Sequence, residues 1–138
     1  MSNEIYNEVF SIQSFRQCEM VVVHMVKERK NNNVKEYKTL ADSLYTLVKL
    51  LGYCLPKNNE YDQEYIDNCE KLSKILKIEI DMIERASNVT LKNADYRSHR
   101  DHVVSFEKML LSIKLLIEYT TNAKKSITLR NTISRQNK

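Results

Sequence analysis

Apolar residues return every three or four positions along nearly the whole chain, in four runs separated by short polar stretches. That period matches the turn of an α-helix and not the strict alternation of a half-buried strand. The first run, over about residues 3–30, carries Ile5, Val9, Ile12, Phe15, Val22 and Val26 on one face. Ser2 or Asn3 serves as its cap, and it stops at Asn31-Asn32-Asn33. The second, about residues 35–51, has the cleanest stripe: Tyr37, Leu40, Ala41, Leu44, Leu47, Val48 and Leu51. Gly52 follows where a left-handed terminating residue is expected. The third, about residues 62–86, runs on Tyr65, Cys69, Leu72, Leu76, Ile80 and Ile83, widened by Ile75, Ile78 and Met82 as if to meet two neighbours. After a loop over residues 87–95, the fourth reaches about residue 123 on Val103, Phe106, Leu110, Ile113 and Ile117, flanked by Met109 and Leu116. Short connections join antiparallel neighbours. The expected fold is therefore all-α, an antiparallel up-down four-helix bundle over residues 1–123 with a basic C-terminal tail over residues 124–138.

Composition sharpens this. The chain has 138 residues with one glycine, Gly52, and one proline, Pro56, both in the same connection, so the strongest breakers of regular structure are missing elsewhere. A single glycine also excludes a glycine-rich phosphate loop. The length corresponds to one domain able to bury a core without staples. Cys18, Cys54 and Cys69 form no CxxC pair and are odd in number, and the N-terminus is polar. A reducing cytoplasm is the expected location. The longest apolar stretch, residues 44–55, is interrupted by Thr46, Lys49 and Gly52 and falls short of the ~20 residues that span a bilayer. Asn88-Val89-Thr90 is a glycosylation sequon by spelling, with nothing else pointing to a secretory route.

Charge changes the picture more. Against 22 basic residues stand 18 acidic ones, a net charge of +4. Residues 124–138 hold Lys124, Lys125, Arg130, Arg135 and Lys138 and no acid, so removing these 5 leaves 17 against 18 and a near-neutral body. In an up-down bundle the first and third connections share a pole. That gathers Lys27, Arg29, Lys30, Lys35 and Lys38 with Arg85, Lys92, Arg97 and Arg100, only partly offset by Glu28, Glu36, Asp81, Glu84, Asp95 and Asp101. The other pole collects Glu60, Asp62, Glu64 and Asp67 around a helix start, where carboxylates are favoured. A basic pole with a basic tail is the footprint of phosphate-backbone binding, and Tyr37 and Tyr96 near that pole could stack on unpaired bases. The opposing interpretation is that lysine-rich helix ends are merely solvated and that the tail lies back on the acidic pole.

Chemistry beyond charge is sparse. His24 and Glu28, four apart, could at most begin a metal site, and Glu79 sits close to the apolar stripe of the third helix. No paired Glu-x-x-His set is present, so neither metal nor cofactor is expected. Arg97-Ser98-His99-Arg100-Asp101-His102 resembles the Arg-x4-His signature of HEPN ribonucleases. That resemblance implies a dimeric, metal-independent ribonuclease in which Arg97 holds the phosphate and His102 assists the 2′-hydroxyl. The competing interpretation is a solvated helix start capped by Asp95 or Ser98, with a histidine facing water.

Across the whole chain, size, helix order, basic character and Glu36-Tyr37-Lys38-Thr39-Leu40-Ala41 at the opening of the second helix resemble another family. These are the four-helix bundles that include the accessory variability-determinant proteins of diversity-generating retroelements and the proteins encoded in ribosomal-RNA intervening sequences. In place of that family's arginine-rich third helix stand the lysines of Leu72-Ser73-Lys74-Ile75-Leu76-Lys77. The resemblance implies a noncatalytic oligomer that binds nucleic acid, RNA or DNA, beside a protein partner. The expected contacts are Lys27, Arg29, Lys30, Lys35, Lys38, Lys92, Arg97, Arg100, Lys124, Lys125, Arg130 and Arg135. A protein-interaction or inhibitor bundle is the second expectation, using Ile78, Val104 and Leu111 if the wide stripes leave them exposed.

Overall fold

The computed structural model describes the backbone of residues 2–54, 62–90 and 96–136, and the side chains of residues 13–53, 63–85, 100–129 and 131–133. Four helices carry it: α1 (Ser2–Lys30), α2 (Val34–Leu51), α3 (Asp62–Thr90) and α4 (Tyr96–Gln136), with one 3₁₀ turn at Gly52–Cys54. No strand occurs among the described residues. Two expected boundaries move. α3 continues through residues 87–90, which take in the sequon, and α4 continues through residues 124–136, so the basic segment is helix rather than a separate tail. Ala123 is buried and Ile127 packs against the core, which gives that extension an apolar footing.

The three asparagines between α1 and α2 build a hydrogen-bonded turn. The Asn33 N–H donates to the Glu28 carbonyl at 3.0 Å and the Asn32 N–H to the Arg29 carbonyl at 3.1 Å, while Asn32 takes a left-handed φ of 56°. This is the Schellman closure, and asparagine is the residue besides glycine that tolerates it best. Asn33 then caps the next helix, its side-chain oxygen accepting the Glu36 N–H at 3.3 Å. Gly52 does not play the terminating role that its position implies. Its φ is −63°, right-handed, and it leads into the 3₁₀ turn. Space explains the glycine instead: a Cβ there would lie 2.8 Å from the Tyr119 hydroxyl.

Each helix turns one three-four row inward. On α1 the row is Phe15, Cys18, Val22, Met25 and Arg29; on α2 it is Tyr37, Ala41, Leu44, Val48 and Leu51; on α3 it is Tyr65, Cys69, Leu72, Leu76, Glu79 and Ile83. The α4 row corrects part of the expected register. His102, Ser105, Met109, Ser112, Leu116, Tyr119 and Ala123 face inward, Ile113 is buried and Phe106 packs on the core as expected, whereas Val103, Leu110 and Ile117 are exposed. Ser105 and Ser112 tolerate burial because their hydroxyls donate to the carbonyls of Asp101 and Lys108, each at 2.9 Å.

α4 packs along both α2 and α3, α1 packs along α2, and α1 meets α3 more sparingly. α2 and α3, though consecutive, are not among the extensively packed pairs. The connection from Leu51 to Asp62 opens with the 3₁₀ turn at Gly52–Cys54. One layer joins Arg29, Tyr37, Glu79 and Met109 from all four helices. At the other end, Phe15 meets Tyr65 edge to face, with ring centroids 5.5 Å apart. There the Tyr65 hydroxyl donates to the Leu51 carbonyl and the Tyr119 hydroxyl to the Val48 carbonyl.

Candidate nucleic-acid interface

The end of the bundle bearing the asparagine turn is organised by two ion pairs. Lys38 Nζ lies 3.7 Å from Asp101 Oδ1, which sets the start of α2 beside the start of α4. Arg29 is turned inward: its Nη2 donates to Glu79 Oε1 at 2.9 Å and its Nε to Glu79 Oε2 at 3.1 Å, a bidentate fork. The Tyr37 hydroxyl donates to the same carboxylate at 3.0 Å and lies 3.5 Å from Met109 Sδ. The hydrogen bond that Arg29 donates to Glu79 pushes its guanidinium further up. Burial first, then the charge of Glu79, pushes the Tyr37 phenol well above its ordinary value. Both groups therefore keep their protons across the physiological range.

This removes two residues from the expected contact surface. Arg29 is an internal clamp rather than a phosphate ligand, and Tyr37, 1% exposed, offers no face for base stacking. What stays outside is a smaller set. Lys27, Lys30 and Lys35 are exposed around the turn, and Arg85 and Arg100 are exposed near the adjoining ends of α3 and α4. Lys38 is half-buried on Asp101. Exposed carboxylates at Glu36, Asp81 and Glu84 offset part of this charge. Lys92 lies outside the described residues, and Arg97, though on the first turn of α4, lies outside the described side chains, as do Tyr96 and His99.

The cations of the α4 extension sit at the opposite end. Lys124 Nζ is 3.1 Å from Glu70 Oε1 and Lys125 is exposed; Arg130 and Arg135 are helical, with side chains outside the described set. Glu64 and Asp67, exposed on the first turns of α3, share that end. The basic segment and the basic pole are thus two separate regions along a long molecule. Between them, a groove of about 250 Å³ opens along α3 and α4, lined by Glu70, Ser73, Lys74, Lys77, Ile117 and Thr120.

His102 is 7% exposed, buried on the inward row of α4. The solvent-facing histidine expected for a plain helix start is therefore not what is found. Among the described residues no group of three or more His, Cys, Asp or Glu side chains is placed to hold a metal ion, and His24 and Glu28 remain two isolated positions on α1. No described helix is long and apolar enough to cross a membrane. The Arg29–Glu79–Tyr37 network is the main feature that sequence reasoning misses. The available signal is phase: Arg29, Tyr37 and Glu79 all continue the three-four rows of their helices. Compared with protein-family models, curated proteins and solved structures, the chain matches none.

Proposed function

We propose that the protein is a noncatalytic, cytoplasmic accessory bundle of up-down helices that binds nucleic acid through the end carrying the asparagine turn, beside a protein partner. The observation that carries this reading is the exposure of Lys27, Lys30 and Lys35 around one turn that its own capping bonds hold rigid. Charges fixed on a rigid edge release counterions from a phosphate backbone without further ordering of the loop. Arg29 contributes indirectly, by tying the end of α1 to α3 through Glu79. Burial of His102 favours binding over metal-independent cleavage, because a general base must reach the ribose hydroxyl.

Mobility shift with RNA, single-stranded DNA and duplex DNA at two salt concentrations tests the proposal. Joint Lys30→Glu, Lys35→Glu and Arg97→Glu substitution weakens binding to all sequences alike, and the salt slope shrinks by roughly 0.7–0.9 for each phosphate that the protein no longer neutralises. Parent-like affinity of the triple variant overturns the basic-end reading. Metal-free incubation with RNA supplies the second check: cleavage by the parent that His102→Ala lacks overturns the noncatalytic assignment.

A further inference from the structure

The face of α4 left open by its packing on α2 and α3 repeats every seven residues. Val103, Leu110 and Ile117 recur at i, i+7 and i+14 and are open to solvent by 39%, 44% and 53%, and Leu111, beside Leu110, is open by 41%. Glu107 and Lys114, also exposed and also seven apart, run between them. Arg100 and Glu118, exposed as well, stand near the two ends of the strip. An apolar strip of this kind on a folded chain commonly marks a partner site. A strict seven-residue repeat, on a helix whose other side is already packed, fits a second helix laid along it.

The order of the charges selects that helix. Let a second copy of α4 lie antiparallel about a twofold axis between residues 110 and 111, so that each residue comes level with the one equally far on the other side of the axis. Leu110 and Leu111 then meet their own copies, and Val103 meets the partner's Ile117. Glu107 meets the partner's Lys114, and Arg100 comes within a helical turn of the partner's Glu118. Each of these pairs occurs twice, so the strip is complementary to itself, as a twofold interface requires. Laid parallel, the same strips would set Glu107 on the partner's Glu107 and Lys114 on the partner's Lys114, and like charges across an interface are costly. Arg100 and Lys114 balance Glu107 and Glu118, so the strip has no net charge to draw phosphate.

We infer that the protein pairs with a second copy of itself, as an antiparallel homodimer through α4 with Leu110 and Leu111 at the twofold axis. From Arg100 to Glu118 the strip is about 27 Å long, a single helix pair and therefore a small interface, so the dimer is reversible and concentration-dependent. The arrangement has a consequence for charge. Lys124 and Lys125 of each copy come level with the first turn of the partner's α4, the turn that the Lys38–Asp101 pair sets beside the start of α2. Two basic regions that are separate within one chain are joined at each end of the dimer. That consequence bears on the proposed nucleic-acid reading; the dimer itself does not depend on it.

The test is sedimentation equilibrium of the full chain without nucleic acid, at loading concentrations from roughly 1 µM to roughly 500 µM. The mass is expected to rise from one chain toward two. Leu110→Asp sets two carboxylates at the axis and holds the mass at one chain, while its circular dichroism stays that of the parent because position 110 faces solvent. Glu107→Lys and Lys114→Glu each weaken association roughly tenfold or more, and the chain carrying both recovers it. A parent that stays a single chain throughout overturns the inference, and so does a dimer that persists in Leu110→Asp. Parent-like association of the single charge variants, or no recovery in the double one, overturns the antiparallel register and the inference with it. A parent that dimerises but shifts no RNA overturns the nucleic-acid proposal alone; one that shifts RNA as a single chain overturns only the dimer.

Discussion

The ring of Tyr119 lies directly over the α-carbon of Gly52: a Cβ built there would stand 2.8 Å from the hydroxyl and 3.0 Å from Cε1 and Cζ. The ring has little room to retreat, because its hydroxyl donates to the Val48 carbonyl at 3.0 Å and the residue is buried on the inward row. Since the Gly52 backbone is right-handed, alanine would be conformationally welcome, and only crowding opposes it. Gly52→Ala is expected to cost about 1–3 kcal/mol in urea unfolding. In a Tyr119→Ala background the same change becomes neutral or stabilising. A similar cost in both backgrounds would show that the ring is not the reason for the glycine.

Arg29 and Glu79 form an asymmetric pair. Glu79 is almost fully buried, whereas the Arg29 side chain keeps 19% of its surface in water. Arg29→Met strands a carboxylate with only the Tyr37 hydroxyl beside it and is expected to cost roughly 3–5 kcal/mol. Glu79→Met costs less, because the guanidinium can turn to solvent. Replacing both by methionine recovers most of the loss, as buried pairs often tolerate apolar substitutes. Additive losses in the double variant, measured by chemical denaturation, would mean that the two side chains act independently.

How far the fold is legible in the sequence depends on what occupies the inward rows. α2 is legible throughout because its row is apolar from Tyr37 to Leu51. α3 is nearly as clear, departing at Glu79, which is buried, and at Ile78 and Met82, which the widened stripe would pack but which are exposed. α4 is legible only in part: Met109, Ile113 and Leu116 are buried and Phe106 packs on the core as expected, but polar His102, Ser105 and Ser112 hold buried positions while Val103, Leu110 and Ile117 face outward. Pairing across helices is beyond the sequence: nothing local to Arg29 indicates that its partner is fifty residues away on α3. For that reason the charge pattern alone makes the basic end too large.

Burial pushes both core thiols up to about 12, Cys18 chiefly by desolvation with Glu19 and Cys69 adding to it, and Cys69 chiefly by desolvation. In the unfolded chain they titrate near 9.0. A raised folded value means that this contribution to stability is complete below pH 9 and is lost as pH climbs toward 12, because only the unfolded chain releases the protons. The slope is about 1.4 kcal/mol per pH unit for each thiol. Urea midpoints measured from pH 8 to pH 10.5 should fall more steeply for the parent than for the Cys18→Ala, Cys69→Ala chain. Tyr37 titrates in both and cancels from the comparison. Equal slopes would place the thiols in contact with water.

Removing residues 124–138 separates the two roles open to the basic segment. α4 runs on to Gln136, and its footing on the bundle is Ile127, half-buried against the core, together with the exposed pair of Lys124 and Glu70 at 3.1 Å. An exposed ion pair contributes little, so the structural loss comes mainly from the isoleucine, about 1–2 kcal/mol. A fall in Tm of several degrees follows for a chain of this length, and Ile127→Ala alone should reproduce most of it. The truncated chain remains folded, because the inward row is complete at Ala123, with helical content lower by the 13 residues of 124–136. Its affinity for RNA then reports directly on the charges of the segment. Weaker binding at unchanged Tm in a Lys124→Ala, Lys125→Ala chain identifies them as phosphate contacts, and parent-like binding confines the interface to the asparagine-turn end. Collapse of the truncated chain would show instead that the bundle core depends on helix beyond Ala123.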